Sequence, residues 1–516
     1  MTHPIFKKLS FCIASIVAGW ISAFAMNPTS FWPCIFVGLS ALYWLYSKTS
    51  SAGQAFGAGF FFAIGYFTTG LWWIGNALLV EGNDFAWVWP ISVIGLPALL
   101  AFFTATYLAL ARMSANPKSF SGFCAFALFL TFSEWARGHA FTGFPWNLYG
   151  YVWADYLPIA QAAFYIGAYG LTFVTIMLAA LAGFLFVSSN PLPNKIIAAG
   201  VALLVLAGMY AGGQMRLNAH ETEYDIRNGL IVVQPNIPQD MKWDPIETQN
   251  NFLKIVSLSK GSIFADPQPE NIFIVWPETA ISPSVYMVNE NMQRMNELLS
   301  SYTKSHLFLI TGVLRRLASD EPKFANSVML LGNDMRMLDV YDKYHLVPFG
   351  EFIPFQQWIP LKPVAAFKGF ERGKGASTIS HAGIPAFSPL ICYEVIFPGN
   401  VVATEEKRPR WIVNVTNDGW YGDSAGPYQH FAQTRMRAIE EGIPVVRSAN
   451  TGISGVFDAY GRTVESAGIF EEAAIVTTLP LPARETPTKV PLYWQVFLLF
   501  FSVFCILNLL KSKTYQ

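Results

Sequence analysis

Long apolar runs occupy the first 212 residues and the C-terminal end of the chain. A helix needs about 20 apolar residues to cross a bilayer, and the pattern predicts eight spans. These are 5–25, 30–46, 55–78, 89–113, 119–136, 162–187, 194–211 and 491–510. The sequence therefore predicts a multi-pass α-helical membrane domain over 1–212, and an eighth transmembrane helix with a tail over 491–516.

The segment 213–490 has another pattern, in which short apolar strands alternate with amphipathic stretches such as 285–304. Strands that are apolar on both faces are typical of sheets covered by helices. The predicted strands are 229–234, 272–276, 307–313, 325–331, 387–392, 411–416 and 445–449. We therefore predict an α/β layered domain, followed by a proline-containing linker over 478–490.

The distribution of charge supports this division. The chain has 516 residues, of which 11 charged ones lie in 1–212 and 55 lie in 213–490. The segment 213–490 is mildly acidic, with 25 Lys and Arg against 30 Asp and Glu. Because nucleic-acid binding depends on a basic surface that neutralises phosphates, this balance argues against a nucleic-acid partner.

Lys and Arg in the short loops predict the orientation of the spans. With a cytoplasmic N-terminus, only Arg137 falls in an outside loop, and the cytoplasmic set is Lys7, Lys8, Lys48, Arg112, Lys118, Lys195, Lys511 and Lys513. This bias predicts that 213–490 is periplasmic and that both termini are cytoplasmic. The first apolar run also fits a cleavable signal peptide, which would leave the remaining topology unchanged.

Three ionisable residues of 213–490 lie just after a predicted strand or in a nearby loop, where α/β folds place their sites. Glu278 comes after the strand 272–276 and fits a general base. Lys343 lies among tyrosines and a proline and could stabilise a developing oxyanion. Cys392 ends the strand 387–392, where a cysteine can form a nucleophile elbow. Each also has a structural interpretation: a capping glutamate, an ion-paired lysine or a core cysteine.

Together, these three residues in this order resemble the nitrilase, or carbon–nitrogen hydrolase, superfamily. The stretches 414–422, 435–440 and 447–452 are similar to it as well. With the membrane spans and the stretches 144–146 and 235–245, nearly the whole chain resembles the apolipoprotein N-acyltransferase family of Gram-negative bacteria. The resemblance implies an αββα sandwich in 213–490.

The resemblance also implies roles for individual residues. Cys392 matches the nucleophile, Glu278 the general base and Lys343 the oxyanion-stabilising lysine. The implied supporting residues are Glu351, Tyr393, Glu394 and, in a mobile arm over the site, Trp243. No cofactor is implied. The sequence has no HExxH motif and its seven histidines are scattered, which argues against a zinc site.

The implied reaction is a two-step acyl transfer through a thioester on Cys392. The expected partners are a phospholipid acyl donor, a diacylglyceryl apolipoprotein acceptor and the lipid bilayer, and we expect a monomer. Both substrates carry acyl chains, so we expect a site open to lipid. Its apolar lining, or else additional core, would include Phe349, Phe352, Ile353 and Phe355.

Other interpretations stay open at this point. A membrane-anchored amidase or nitrilase would share the three residues and transfer the acyl group to water. A transporter or scaffold is disfavoured, because ion pathways usually need charges inside the spans. Glu134 and Arg137 near the fifth span form an i,i+3 ion pair or contact a lipid headgroup.

Overall fold

The structure is a computed structural model. It describes residues 4–80, 86–242, 244–262, 264, 268–301, 304–318, 323–354, 369–404 and 406–487. Two compact units divide these residues, one within 4–75 and 88–220 and the other within 76–87 and 221–486. The predicted span 491–510 lies outside the described residues.

The first unit consists of helices. They are α1 (Pro4–Ala23), α2 (Pro33–Ser47), α3 (Ala52–Leu71), α4 (Trp89–Ser114), α5 (Phe120–His139), α6 (Leu157–Ala160), α7 (Ala162–Val187) and α8 (Leu192–Ala219). Short 3-10 helices lie at Trp72–Leu78, Ala86–Val88 and Tyr149–Trp153. Each of the first seven predicted spans therefore coincides with a helix.

Among the described residues, four helical segments are long and apolar enough to cross a membrane. They are Ala52–Leu78, Ala86–Ser114, Ala162–Val187 and Leu192–Ala219. The apolar stretches Lys8–Ala23 and Pro33–Ser47 are shorter. A helical membrane part is thus supported, while the full set of eight spans stays a prediction.

Glycines allow α1 and α3 to pack closely. A Cβ at Gly19 would collide with the Phe62 carbonyl, and a Cβ at Gly65 would collide with the Ile16 carbonyl. Small residues permit such close approach of helices that have only apolar surroundings. The lack of a side chain at Gly19 and Gly65 therefore allows the two helices to pack at this short distance.

Glu134 and Arg137 form the predicted ion pair inside the first unit. Both side chains are fully buried, and Arg137 Nε donates to Glu134 Oε1 at 2.9 Å. Arg137 Nη1 also donates to the carbonyls of Phe144 at 2.6 Å and Trp146 at 2.8 Å. The guanidinium is thus committed to protein acceptors, so the alternative contact with a lipid headgroup is wrong.

The second unit contains eleven strands among its described residues. They are β1 (Tyr224–Gln234), β2 (Asn271–Val275), β3 (His306–Arg316), β4 (Phe324–Leu331), β5 (Met337–Asp342), β6 (Phe387–Ile391), β7 (Trp411–Thr416), β8 (Val445–Ala449), β9 (Ser454–Phe457), β10 (Thr463–Ala467) and β11 (Ala473–Pro480). The helices are α9 (Glu247–Gly261), α10 (Pro283–Tyr286), α11 (Asn289–Leu299) and α12 (Ala425–Glu441).

All seven predicted strands are present, and four others were missed. β5 and β10 are half-exposed and carry charged residues, so they lack the apolar runs that identified the rest. β11 continues to Pro480. The prediction that a linker begins at residue 478 is therefore wrong.

The strands form two facing sheets. One has the order β11-β1-β2-β3-β4-β5, and the other has the order β10-β9-β8-β7-β6. A shared apolar core that includes Leu230, Phe273 and Trp411 joins the sheets. A second core joins the first sheet to α9 and α11, while α12 contacts β8 of the other sheet. This is the predicted αββα layering.

Strand direction determines where the loops meet. β1, β2 and β3 are mutually parallel, and so are β6, β7 and β8. β5 runs in the direction of β3, because β4 is antiparallel to both. Parallel strands end at one edge of a sheet, so the residues after β2 and β5 share one edge of the first sheet, and the residues after β6 and β7 share one edge of the second sheet.

Candidate active site

Cys392 stands on a sharp turn directly after β6. Its backbone φ is +51°, in the left-handed region that a non-glycine residue adopts at a cost. A 3-10 helix, Cys392–Ile396, begins at this residue, and the cysteine is only 7% exposed. The turn therefore presents the sulfur at the edge of the sheet, as a nucleophile elbow does.

Glu278 lies in the turn after β2, which reaches across to the second sheet. Its backbone N–H donates to the Thr416 carbonyl at 3.4 Å, and Thr279 has a φ of +49°. Gly312 on β3 leaves room for this turn, since a Cβ there would lie 2.5 Å from the Pro277 oxygen and the Thr279 nitrogen. The glycine thus permits the position of the Glu278 carboxylate.

Lys343 follows β5 and lies between two carboxylates. Its Nζ is 2.8 Å from Glu351 Oε1 and 3.7 Å from Glu278 Oε1. Asn326 on β4 donates from Nδ2 to Glu278 Oε1 at 2.7 Å, and it donates to Glu351 Oε1 at 3.3 Å. All four side chains are buried, so their relative positions are held by hydrogen bonds away from bulk water.

The environment keeps the Cys392 thiol protonated at rest. Burial and, to a smaller extent, the negative charge of Glu278 raise the pKa of Cys392 to about 12, although Lys343 acts in the opposite direction. For Lys343, burial alone would lower the pKa, but Glu351 and Glu278 outweigh burial and raise it. The site therefore holds a neutral thiol beside a permanent ammonium, and a base is needed to form the thiolate.

Glu394 connects the cysteine turn to the lysine loop. Its Oε1 accepts from Tyr341 Oη at 2.8 Å and from the backbone N–H groups of Tyr344 at 2.8 Å and His345 at 3.0 Å. Its Oε2 accepts from the Ile391 N–H at 2.8 Å. Burial raises the pKa of Glu394 against the lowering effect of these donors. The carboxyl group therefore braces the two loops.

The structure brings the predicted residues Glu278, Lys343, Cys392 and Glu351 into one buried cluster, with Glu394 behind it. The Tyr393 ring packs against Phe397 and His345, at centroid distances of 5.1 and 5.8 Å. Trp243 and Phe355 lie outside the described residues.

The predicted apolar lining includes residues in different environments. Phe349 is exposed and has a φ of +62°. Phe352 is half-buried, whereas Ile353 is buried. Ile353 therefore belongs to the protein interior, and Phe349 is the most exposed of the three described members.

Sequence reasoning missed Asn326 and the buried cluster behind Cys392. In that cluster, His430 Nε2 donates to the Cys392 carbonyl at 3.2 Å, and His430 Nδ1 lies 2.9 Å from Asp418 Oδ1. Arg447 Nη2 donates to Asp418 Oδ2 at 2.5 Å. A polar residue within the apolar strand 325–331 could have indicated that Asn326 has a special role. No local sequence pattern indicated His430.

Lys242 is a further residue at the site that the sequence did not single out. Its Nζ donates to the backbone carbonyl of Glu278 at 2.8 Å. Burial lowers the pKa of Lys242 to about 8, although Glu278 and Cys392 act in the opposite direction. The lysine therefore connects the segment before α9 to the turn that carries Glu278.

A cysteine on an elbow, a carboxylate and a buried ammonium are the components of acyl transfer through a covalent intermediate. The described residues contain no group of three or more His, Cys, Asp or Glu side chains that could hold a metal ion. The two facing sheets and this arrangement of side chains define a protein of the carbon–nitrogen hydrolase class.

Two family matches cover most of the chain. Residues 232–486 match the family described as carbon-nitrogen hydrolase. Residues 18–181 match the family described as apolipoprotein N-acyltransferase N-terminal domain. A solved CN-hydrolase superfamily protein from Xanthomonas campestris is 17% identical, with a TM-score of 0.35 over 50% of this chain and 91% of that chain.

Curated bacterial relatives match nearly end to end. An apolipoprotein N-acyltransferase of Rhodopseudomonas palustris is 38% identical over 92% of this chain and 90% of the relative. Another, from Bradyrhizobium diazoefficiens, is 41% identical over 91% of this chain and 89% of the relative. The chain therefore belongs to the apolipoprotein N-acyltransferase family.

Proposed function

We propose that this protein transfers a fatty acyl group from a phospholipid to the N-terminal amine of a diacylglyceryl-cysteine apolipoprotein. The names of the curated relatives support the reaction and the acceptor. One structural observation carries the chemistry: Glu278 and Lys343, whose charged atoms lie 3.7 Å apart, and Cys392 on its sharp turn are all buried in the same site. A thiol, a base and a fixed cation are what a thioester mechanism needs.

In the first half-reaction, the Glu278 carboxylate takes the proton of the Cys392 thiol. The thiolate attacks an ester carbonyl of the phospholipid, and the charge that develops on the carbonyl oxygen is stabilised by the Lys343 ammonium and a backbone N–H near Tyr393. The intermediate then collapses, Glu278 returns its proton to the leaving alkoxide, and a lysophospholipid departs. The enzyme now carries a thioester.

In the second half-reaction, the amine of the lipoprotein cysteine attacks the thioester. Glu278 takes a proton from the amine, Lys343 again faces the oxyanion, and the sulfur leaves and regains a proton. The products are an amide and the free Cys392 thiol. Because an amide is more stable than a thioester, the transfer requires no nucleotide.

The remaining predicted site residues have supporting roles in this proposal. Glu351 holds Lys343 Nζ through the 2.8 Å ion pair, which keeps the ammonium at the oxyanion position. Glu394 maintains the turn at Cys392 through its bond to the Ile391 N–H. Tyr393 is the residue that directly follows the nucleophile in the chain, and we propose that Trp243 covers the site.

We further propose that the protein spans the inner membrane, with 213–490 in the periplasm and both termini in the cytoplasm. The bias of Lys and Arg among the short loops supports this orientation. Both substrates carry acyl chains, and moving each CH₂ from hydrocarbon into water costs about 0.8 kcal/mol. Access to the site directly from the bilayer avoids most of that cost.

Intact-mass spectrometry of the purified protein mixed with phospholipid vesicles tests the proposal. We expect a hydroxylamine-sensitive fatty-acyl adduct that maps to Cys392 and is absent from Cys392→Ala. Addition of a diacylglyceryl lipopeptide should then discharge the adduct and give a fatty amide. Release of free fatty acid without amide would instead identify a hydrolase, and normal turnover by Cys392→Ala would end the proposal.

A further inference from the structure

His430 is a buried histidine on α12 that contacts the backbone of the nucleophile. Its side chain is fully buried, and its Nε2 lies 3.2 Å from the Cys392 carbonyl oxygen. The bond joins α12 to the first residue of the 3-10 helix Cys392–Ile396. The histidine therefore contacts the peptide group that directly follows the residue carrying the sulfur.

The partners of the imidazole ring determine which nitrogen carries the proton. Nε2 of His430 faces a carbonyl oxygen, which can only accept a hydrogen bond. Nδ1 lies 2.9 Å from Asp418 Oδ1 and 3.1 Å from Arg447 Nη2, so it meets both an acceptor and a donor. Nδ1 therefore has a partner with or without a proton, whereas Nε2 needs a proton. The Nε2–H group that donates to Cys392 is thus present in both the neutral and the protonated ring.

The buried cluster holds the histidine ring in place. Asp418 Oδ2 accepts from Arg447 Nη2 at 2.5 Å, and Thr416 Oγ1 donates to Asp418 Oδ1 at 2.9 Å. Although burial alone would raise it, Arg447 and His430 lower the pKa of Asp418 to about 2, so this carboxylate stays charged. The Tyr421 ring packs edge-on against the imidazole, at a centroid distance of 5.9 Å. The orientation of the ring is therefore fixed.

The peptide group that His430 contacts also carries the next backbone N–H. A peptide bond is planar and almost always trans, so the Cys392 carbonyl and the Tyr393 N–H point in opposite directions. The carbonyl faces α12, and the N–H therefore faces away from α12. Glu278 and Lys343 come from loops of the first sheet, which lies on the opposite side of the second sheet from α12. The N–H is thus turned toward the side of the site that holds the base and the ammonium.

We propose that His430 is a positioning residue for acyl transfer: by holding the Cys392 carbonyl, it aims the Tyr393 N–H at the oxygen that becomes negative in the tetrahedral intermediate. The bond to the carbonyl also strengthens the N–H as a donor, since hydrogen bonds in series polarise one another. The inference rests on the proposed function in taking Cys392 as a nucleophile that attacks a carbonyl group. His430 neither gains nor loses a proton in either half-reaction, and Glu278 remains the base.

Two reagents that react with the same sulfur test the proposal without any lipid. Acetylation by p-nitrophenyl acetate passes through a tetrahedral oxyanion, whereas alkylation by iodoacetamide displaces iodide and forms no oxyanion. Both adducts are followed by intact mass in a time course and mapped to Cys392 by peptide mass. Because the thiolate is common to both reactions, the ratio of the two rates reports the oxyanion contribution.

Two amide side chains separate the roles of the ring nitrogens. In His430→Gln the amide can take the position of Nε2 and donate to the Cys392 carbonyl, whereas in His430→Asn it reaches only the position of Nδ1. His430→Asn should acetylate at least about tenfold more slowly than the wild type, since a whole oxyanion donor is worth about 10²–10³ in rate. Its alkylation should stay within about twofold, because no oxyanion forms in that reaction.

The controls keep a donor at the carbonyl or change a histidine elsewhere. His430→Gln should stay within about threefold of the wild type in both reactions, since the hydrogen bond is retained. His381→Asn is the matched control, because His381 Nδ1 also contacts a backbone carbonyl, that of Ala382, but at an exposed position. It should change neither rate.

Acetylation of His430→Asn at the wild-type rate would overturn the assignment, and so would equal losses in acetylation and alkylation, which indicate a structural role. If thermal unfolding shows that His430→Asn does not fold, His430→Leu replaces it under the same two criteria. A wild type that is alkylated but not acetylated would also overturn the assignment. If the acetylation rates follow the expected pattern while phospholipid gives no thioester, the assignment is supported and the proposed function is contradicted.

Discussion

At the scale of single residues, three of the nine non-glycine residues with positive φ in the described part of the chain lie in the loops of the proposed site. Cys392, Thr279 and Phe349 have φ values of +51°, +49° and +62°, and such positions cost about 1–3 kcal/mol each for residues other than glycine. One belongs to the cysteine turn, one to the glutamate turn and one to the loop between Lys343 and Glu351. The hydrogen bonds around each turn hold it in this conformation and offset the conformational cost.

Lys343 offers a direct test of electrostatic stabilisation. Lys343→Ala should lower the rate of thioester formation by about 10²–10³, because a positioned oxyanion donor is worth that much. Lys323→Ala is the matched control, since Lys323 also forms an ion pair with a glutamate, Glu371, but at the surface. The rates of thioester formation of both variants are measured by intact mass in a time course. If Lys343→Ala lowers the rate less than threefold, Lys343 has a structural role and does not stabilise the oxyanion.

Glu278 is tested by a change that keeps shape and removes the charge. Glu278→Gln should slow thioester formation by at least about 10², because a general base contributes typically 10²–10⁴. The Asn326 side chain can rotate to donate or accept, so the fold should persist. Glu371→Gln, at an exposed position, should react normally. A thioester that forms at the wild-type rate in Glu278→Gln would exclude Glu278 as the base.

At the scale of elements, the site is built from strand ends and braced by side chains from neighbouring loops. Glu394 joins the lysine loop to the cysteine turn, and Asn326 joins the glutamate turn to the Glu351 loop. Each brace connects segments that are distant in the chain. A small displacement of one element should therefore also shift the side chains that the other elements contribute to the site.

Gly312 on β3 tests this coupling. A Cβ there would meet the backbone of the Glu278 turn at 2.5 Å, so Gly312→Ala should displace the turn and cost about 1–3 kcal/mol of stability. We expect at least a tenfold slower thioester formation together with a lower unfolding temperature. Gly261→Ala, where a Cβ meets nothing within 4 Å, should change neither measurement appreciably. Normal acylation by Gly312→Ala would show that the turn tolerates the shift.

At the scale of the whole molecule, the chain divides its charges between two units of different chemistry. The helical unit buries Glu134 and Arg137 as a pair, since an unpaired charge would be very costly in an apolar interior. The second unit buries Lys343 and Arg447 in hydrogen-bonded clusters. In these clusters of the described residues, each buried charge has charged or hydrogen-bonding partners.

The proposed topology can be measured by cysteine labelling in spheroplasts of a bacterial host. In a background with the native cysteines replaced by serine, Lys323→Cys should react with a membrane-impermeant maleimide in intact spheroplasts. Lys195→Cys should react only after lysis, because the loop bias places it in the cytoplasm. The reverse pattern would contradict the orientation, and labelling of both before lysis would show leaky preparations, which a cytoplasmic marker protein controls.

The sequence by itself determined the positions of seven helices and seven strands, because long apolar runs and short covered strands are local patterns of hydrophobicity. It also identified Glu278, Lys343 and Cys392, through their local motifs and the resemblance to the carbon–nitrogen hydrolase superfamily. The strands β5, β9, β10 and β11 were missed, and of these β5 and β10 are half-exposed and have no apolar run.

Only the tertiary structure decided which side chains surround Glu278, Lys343 and Cys392. Asn326 reaches Glu278 from 48 residues away, and His430 reaches the Cys392 carbonyl from 38 residues away. The two carbonyl partners of Arg137, Phe144 and Trp146, likewise became evident only in the fold. Hydrogen bonds are short and directional, so partners that are distant in the chain are determined by how the strands pair and the sheets pack.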